Sequence, residues 1–346
     1  MAPPPLLAVP NVSEGRREQT IAAIARAFAG GEPDGRRTPA GGREPGATPA
    51  GGVRLLDVHS DPDHHRSVIT IAGRQGELAE ALLAGARVAV AQIDVMARAG
   101  GDPAHAGQHP HVGALDVAPI VYLDDASRGG ACAEALVLAD RLGDELELPV
   151  FLYGELTQRE DGTITSRADL RRGGAAGLAA RLAAAARGSA AVSASAGGEA
   201  RSGPASSSPL APDFGPARMH PTAGATLVAA RPPLVAFNLQ LASPATPAGA
   251  RAVAALVREG GAEGLPGVRA IGIALDGGLA QVSMNVERPF EVPLAAVAEA
   301  VARHHRIASA ELVGLAPRAA LDGFPAEIPM PGFDPARHLI ENALGS

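Results

Sequence analysis

Tryptophan is absent from this chain of 346 residues, aromatic residues make up only 3% of it, and Cys132 is the one cysteine. Hydrophobic cores must therefore be built from Ala, Val, Leu and Ile. A single thiol excludes an intramolecular disulfide and a multi-cysteine zinc site. This agrees with a reducing compartment, and we expect the protein in the cytoplasm.

Long apolar runs and excess positive charge are also lacking. No stretch of about 18 apolar residues is free of charges and breakers, so no transmembrane helix is expected. The N-terminus lacks the basic and apolar regions of a signal peptide. The formal net charge of −7 gives no global attraction to nucleic acid or to an acidic membrane. An anionic substrate would therefore need a local basic pocket.

Motifs for nucleotide and ester chemistry are missing as well. There is no G-x-x-x-x-G-K-[ST] phosphate loop, and no G-x-G-x-x-G follows a predicted strand and opens a helix. A G-x-S-x-G nucleophile elbow is absent too. Nucleotide hydrolysis, dinucleotide-dependent redox chemistry and serine hydrolysis therefore have no support.

The chain is rich in glycine and proline, with 42 and 30 residues, and its use of Ala, Gly, Arg and Pro is typical of a high-GC bacterial genome. Hydrophobic residues make up 46% and charged residues 19%, which indicates a globular protein with many turns. The length allows two domains, each with its own core.

Strand and helix patterns follow the order βαββαβ in each half of the chain. In the first half, strands are predicted at 6–12, 53–59, 67–72 and 115–123, and helices at 16–29 and 77–97, before an added helix at 129–146 and strand at 149–154. In the second half, strands are predicted at 234–241, 268–275, 280–286 and 311–315, and helices at 248–258 and 294–304. This order is typical of the ferredoxin-like fold. We therefore predict an α+β protein with two ferredoxin-like (βαββαβ) subdomains.

Two segments interrupt this pattern. Residues 30–52 are rich in Gly, Pro and Arg and predict a loose insertion. Residues 188–209 are mostly Ala, Gly and Ser, and such a segment buries too little apolar surface to offset its ordering entropy. We predict a disordered linker at 188–209, between an N-terminal subdomain at 1–187 and a C-terminal subdomain at 210–346.

The most unusual local feature is a cluster of three histidines, His105, His109 and His111, just before a predicted strand. Pro110 biases His109 away from helical backbone, and loops at strand edges often carry catalytic groups. A positioned imidazole with a pKa of about 6.5 suits general acid/base catalysis. The spacing H-x3-H-x-H matches no zinc arrangement that we can place. A polar surface loop, an acid/base site and a metal site all remain open on spacing alone.

Two other clusters are ambiguous in the same way. Residues 57–66 hold three acids, three histidines and Arg66 between two strands, which suits metal binding, substrate positioning or a solvated turn. Residues 212–226 combine Gly, Pro and hydroxyl side chains ahead of a strand. They suit either a pocket wall lined by backbone or a connector between domains.

Eight motifs in order resemble the formiminotransferase family and cover nearly the whole chain apart from residues 30–52 and 188–209. They are V-P-N-V-S-E-G-R at 9–16, the cluster at 57–66, H-P-H-V-G-A-L-D-V at 109–117, P-V-F-L-Y-G at 149–154, A-P-D-F-G-P at 211–216, V-A-F-N-L at 235–239, Q-V-S-M-N at 281–285 and E-L-V-G-L at 311–315. The resemblance implies two ferredoxin-like subdomains packed side by side with a folate-binding cleft between them.

The implied activity is transfer of a formimino group from N-formimino-L-glutamate to N5 of tetrahydrofolate, as in histidine degradation. Tetrahydrofolate is then a co-substrate, and no metal is expected. The family's catalytic histidine maps onto His109. Its folate- or substrate-binding segment maps onto Gly215, Pro216, Ala217, Arg218, Met219, His220, Pro221, Thr222, Ala223 and Gly224.

Further residues are assigned to substrate positioning on the same resemblance, namely Asn11, Asp57, Arg66 and His111. Two positions depart from the family pattern, because His111 stands where Arg is usual and His65 where Asn is common. Animal members carry a cyclodeaminase domain that this sequence does not contain, so a separate cyclodeaminase is expected to act downstream. A homodimer is expected, with neither nucleic acid nor membrane as partner.

Three other functions remain open from the sequence. They are formyl transfer between 5-formyltetrahydrofolate and glutamate, metal-dependent hydrolysis of formiminoglutamate by the histidine clusters, and folate binding without catalysis.

Overall fold

The structure is a computed structural model that describes residues 5–31, 52–99, 110–195 and 210–345. The predicted catalytic His109 and nearly all of the predicted insertion at 30–52 lie outside these residues. Within the described part, the chain is an α+β protein with two β-sheets.

The first sheet has seven strands. They are β1 Leu6–Ala8, β2 Asn11–Val12, β3 Arg54–Asp61, β4 Arg66–Gly73, β5 Leu115–Val121, β6 Val150–Leu152 and β7 Thr226–Arg231. β1 and β2 are two pieces of one predicted strand, and both lie antiparallel between β4 and β5. β3 pairs with β4, while β7 runs parallel to both β5 and β6.

Six helices belong to the part of the chain that forms this sheet. They are α1 Glu18–Phe28, α2 Leu78–Gln92, α3 Val95–Ala99, α4 Arg128–Leu146, α5 Arg167–Leu170 and α6 Gly174–Ser195. α1 and α2 pack closely because Gly85 leaves room for Phe28, whose Cδ1 would lie 2.1 Å from a Cβ at Gly85. The single helix predicted at 77–97 is broken at Ile93, which has extended backbone.

The second sheet has four strands with the order β11-β8-β10-β9, all antiparallel. The strands are β8 Val235–Leu241, β9 Val268–Ala274, β10 Ala280–Val286 and β11 Ile307–Val313, with the helices α7 Pro247–Val257 and α8 Leu294–Ala302. As predicted, Asp276-Gly277-Gly278 joins β9 and β10 in a hairpin. The chain continues into the short helices α9 Pro335–His338 and α10 Ile340–Leu344.

The structure differs from the predicted division of the chain in two places. β7, at residues 226–231, lies in the first sheet, so that sheet extends past residue 210, where the C-terminal subdomain was predicted to begin. The predicted disordered linker also overlaps α6, which continues to Ser195. Its alanines explain this, because Ala has the highest helix propensity of all residues. Residues 196–209 lie outside the described part of the chain.

No helix within the described ranges is both long enough and apolar enough to cross a membrane.

A candidate active site between the two sheets

A cleft lies between the two sheets. One wall is a face of the first sheet, with side chains from β1, β2, β4 and β5 such as Asn11, Val68 and Val117. The opposite wall comes from the second sheet and includes Ala236 and Asn285. Alternate residues of a strand point to the same face, which explains why Arg66, Val68 and Thr70 of β4 all line the cleft.

Four arginines line this cleft. Arg66 begins β4, Arg167 and Arg171 lie at the start and the C-cap of α5, and Arg231 ends β7. Arg171 is buried, with 4% of its surface exposed, and the other three are partly buried. An acidic protein therefore carries a local basic pocket, as an anionic substrate requires.

Asp116 of β5 anchors this pocket. Its carboxylate is 1% exposed and forms an ion pair with Arg171. Its other oxygen, Oδ1, accepts a hydrogen bond from the backbone N–H of Val112 at 2.7 Å. One buried carboxylate thus joins the arginines to the segment that directly follows His109.

Burial and mutual repulsion disfavour the charged form of these arginines. Burial, with Arg171 nearby, lowers the pKa of Arg66 to about 10. Burial lowers the pKa of Arg231 to about 10 as well, with the charge of Arg167 adding to the effect. The pKa of Arg167 is lowered by burial and by the charge of Arg171. Arg66 and Arg231 remain cationic near neutral pH. A bound anion would relieve the repulsion within the cluster.

Three of the motif segments meet beside the cleft, although they are distant in sequence. The N–H of Ser13 donates to the carbonyl of Ala114 at 3.0 Å, and the Ser13 hydroxyl donates to the carbonyl of Gly113 at 2.7 Å. The Ser67 hydroxyl donates to the carbonyl of Glu14 at 2.6 Å. These bonds hold residues 13 and 14, directly after β2, against the segment at 110–114 on one side and against β4 on the other.

Glu14 is the centre of a buried polar network in this region. Its carboxylate, which is fully buried, accepts hydrogen bonds from the side chains of Arg17 and Arg98, at 2.6 and 3.2 Å. Burial alone would raise its pKa, but hydrogen bonds from the backbone of Arg16 and Arg17 and from the Arg17 side chain outweigh that effect, and the pKa is lowered to about 2. Glu14 is therefore a permanent anion that fixes the start of α1.

His65 lies next to Glu14 with its Nδ1 accepting the N–H of Gly15 at 3.1 Å. Burial, together with the charge of Arg98, lowers its pKa to about 4. Its backbone has φ 49°, in the left-handed region, where Asn is more readily accommodated than most residues.

The segment Gly215–Gly224 packs against the histidine-rich motif. The N–H of Ala114 donates to the carbonyl of Ala223 at 2.8 Å, and the N–H of Ala225 donates to the carbonyl of Val112 at 2.9 Å. Gly113 and Gly224 face each other in a β-bridge. A Cβ at Gly113 would lie 1.8 Å from the carbonyl oxygen of Ala225, so only glycine permits this approach. The described part of the histidine-rich motif and the cluster at 212–226 thus form one unit.

Not every predicted residue faces the cleft. Asn11 and Arg66 line it, whereas Asp57 lies on β3 opposite Thr70. His111 is partly buried, and its charge bears on His65. Residues 215–224 border the site through the 110–114 segment and contribute no side chain to the cleft lining. Among the described residues, no group of three His, Cys, Asp or Glu side chains is placed to hold a metal ion.

Sequence reasoning missed Arg167, Arg171, Arg231 and Asp116. Weak signals existed for three of them. Arg167 and Arg171 are four residues apart after the helix-capping Ser166, and that spacing puts two side chains on one helical face. Asp116 is an acid within the apolar strand β5, and a buried charge requires a partner.

Comparison with known proteins identifies the family of the chain. Residues 6–231 match the family model described as the formiminotransferase domain, N-terminal subdomain. That range ends with β7, at the last residue of the first sheet.

Three relatives align over most of the chain. A glutamate formimidoyltransferase of Streptococcus pyogenes is 30% identical over 97% of this chain and 97% of its own length. A glutamate formimidoyltransferase of Thermoplasma acidophilum is 31% identical over 94% of this chain and 93% of its own length. A formimidoyltransferase-cyclodeaminase of Sus scrofa is 37% identical over 90% of this chain but only 50% of its own length. The chain therefore belongs to the formiminotransferase family of transferases.

Proposed function

We propose that this protein transfers the formimino group of N-formimino-L-glutamate to N5 of tetrahydrofolate, releasing 5-formiminotetrahydrofolate and L-glutamate. The observation that carries the proposal is the meeting of the motif segments at 9–16, 57–66, 110–117 and 215–224 around one cleft. Relatives named for this activity align along nearly their whole length. The two halves are proposed to be ferredoxin-like, since each has the element order βαββαβ.

The cleft suits the charge of both substrates. N-formiminoglutamate and tetrahydrofolate each carry carboxylates, and arginine binds a carboxylate through a planar fork of N–H donors. Arg66 and Asn11 are the predicted positioning residues that line the cleft. His111 and Asp57 would act from its border. We propose that the segment Gly215–Gly224, which borders the cleft through residues 110–114, contacts the folate.

The chemistry requires two proton movements. N5 of tetrahydrofolate attacks the amidine carbon of the donor, and a tetrahedral intermediate forms. The attacking nitrogen must then lose a proton and the departing glutamate nitrogen must gain one. A single imidazole can do both in sequence, first as a base and then as an acid, and we assign this role to His109. Holding both substrates together would supply much of the rate enhancement.

The proposal is tested by mixing the purified protein with N-formiminoglutamate and tetrahydrofolate and measuring 5-formiminotetrahydrofolate and L-glutamate. We expect the two products in equal amounts, unchanged by a chelator. A protein that acts only with 5-formyltetrahydrofolate and glutamate would be a formyltransferase. Release of formamide or ammonia without a folate adduct, abolished by the chelator, would indicate a metal-dependent hydrolase. Folate binding without turnover would leave a binding protein.

A further inference from the structure

The positive charge of the four cleft arginines exceeds the negative charge of the carboxylates that pair with them among the described residues. Within the described ranges, Asp116 is the one acid ion-paired to the group, through Arg171, which leaves a formal surplus of three positive charges. Two more carboxylates act on the cluster from further away. Asp61 faces Arg66, and Glu287 faces Arg167 and Arg231.

Both of those carboxylates have other partners. The Oδ1 atom of Asp61 accepts the backbone N–H of Asp63 and His64 at 2.8 and 2.9 Å. The Oε2 atom of Glu287 lies 3.2 Å from Nε of Arg269. Neither forms an ion pair with a cleft arginine, so the surplus of positive charge remains.

Some hydrogen-bond donor atoms of the cleft arginines have no acceptor among the described residues. The buried Nε atoms of Arg171 and Arg231 have no hydrogen-bond partner among the described residues. Arg66 and Arg167 form no ion pair with any carboxylate in that part of the chain. A buried or partly buried cation without a paired acceptor is costly, so the arrangement of the described residues favours the binding of an anion here.

We propose that Arg66, Arg167 and Arg231 form a site for both carboxylates of one glutamyl group, and that Asp116 holds Arg171 in place beside them. The inference rests on the proposed function and adds residues and a binding mode to it. Two carboxylates offset most of the surplus charge, whereas a single carboxylate offsets a third of it. The two sources of a glutamyl group are the formimino donor and the glutamate tail of the folate.

The binding test uses glutarate and L-glutamate as dicarboxylates and 4-aminobutyrate as the matched molecule that lacks one carboxylate. Calorimetry is the suitable measurement, because the chain has no tryptophan to report binding. We expect 4-aminobutyrate to bind the wild-type protein at least about tenfold more weakly than L-glutamate. Equal affinity for all three molecules would overturn the inference.

The residue test uses Arg167→Gln and Arg231→Gln, each of which keeps hydrogen-bonding capacity but removes a charge. The matched control is Arg172→Gln, since Arg172 lies beside α5, is exposed and pairs with Asp169 on the surface. We expect each cleft variant to lose about tenfold or more in glutarate affinity and the control to change less than about twofold. Because Arg167→Gln removes repulsion between the arginines, we expect its melting temperature to be unchanged or higher. That result would show that the lost affinity does not come from a folding defect. Unchanged glutarate affinity in both cleft variants would overturn the inference.

Steady-state kinetics distinguish the two sources of the glutamyl group. If the donor binds here, the KM for N-formiminoglutamate rises in the cleft variants and the KM for tetrahydrofolate does not. If the folate tail binds here, the KM for tetrahydrofolate rises in the cleft variants and the KM for N-formiminoglutamate does not. In that case the KM for tetrahydropteroate, which lacks the tail, is unchanged by the substitutions. Transfer activity with neither KM affected refutes the arginine site and leaves the proposed function intact. If glutarate binding depends on the arginines but the protein transfers no formimino group, the arginine site stands and the proposed function is refuted.

Discussion

Asp116 is the residue on which two parts of the site depend. It pairs with the buried Arg171 and accepts the N–H of Val112. Asp116→Asn keeps the shape but removes the charge, which leaves a buried guanidinium without its counter-ion. We expect the free energy of unfolding in urea to fall by about 3 kcal/mol, with weaker substrate binding.

The control for this substitution is Asp169→Asn. Asp169 pairs with Arg172 where both side chains are more than half exposed. Exposed pairs contribute at most about 1 kcal/mol, so the control should be nearly neutral. Equal effects of the two substitutions would show that Asp116 has no anchoring role.

His65 gives stability a dependence on pH. Burial and the charge of Arg98 lower its pKa in the folded protein to about 4, from an ordinary value of 6.5. Because the pKa of His65 is lower in the folded protein, the unfolded chain takes up a proton at a higher pH than the folded protein does. The stabilisation is therefore complete above pH 6.5 and is lost as the pH falls from 6.5 towards 4, by roughly 1–3 kcal/mol.

His65→Asn removes this titration and suits the left-handed backbone, and the amide oxygen of Asn can accept the N–H of Gly15. We expect the unfolding free energies of wild type and variant to converge or cross as the pH falls through that range. Two curves that stay parallel from pH 7 to pH 4 would rule out His65 as the titrating group.

His109 is proposed to move the proton, and its role is carried over from the family motif. His109→Ala should lower kcat at least about a hundredfold while tetrahydrofolate still binds. Added imidazole should restore part of the rate. His304→Ala is the matched control, since His304 is exposed and its Nε2 lies 3.0 Å from Oε1 of Glu263 at the surface. Full activity in His109→Ala would exclude acid/base catalysis by this residue.

At the scale of elements, the pairing of residues 112–114 with 223–225 holds the site together. Gly113→Ala would force a Cβ to within 1.8 Å of the Ala225 carbonyl oxygen, and backbone on both sides must move. We expect a loss of about 2 kcal/mol or more in urea unfolding and a loss of transfer activity. Gly129→Ala in α4 is the control, because nothing lies within 4 Å of the added Cβ, and its stability should be unchanged or higher.

The elements themselves were largely predictable. Strands with alternating apolar residues, such as β8 and β10, and the Asp276-Gly277-Gly278 turn carry local signals. β7 was missed as part of the first sheet, because its parallel pairing with β5 and β6 depends on contacts more than 70 residues apart, such as Val117 with Leu227. Pairing between distant segments leaves no periodic pattern in the local sequence.

The candidate site was predictable only in part. Motifs located the segments at 9–16, 57–66, 109–117 and 211–224, but not their mutual hydrogen bonds. The arginines of α5 and β7 escaped notice since an arginine at a helix or strand end is usually solvated. Only the folded chain shows that Arg167 and Arg231 enter the same cleft as Arg66.

At the scale of the whole molecule, we propose that the reaction takes place between the two sheets. Both sheets supply walls of the cleft. The proposed site therefore draws on motifs from both ends of the sequence.

The most direct measurement of this central claim is a crystal structure of the protein with a stable folate analogue and L-glutamate. We expect density for both molecules between the sheets, with a glutamyl group at Arg66, Arg167 and Arg231 and the pterin beside residues 215–224. Density for the folate elsewhere on the protein, with the cleft filled only by water, would contradict it.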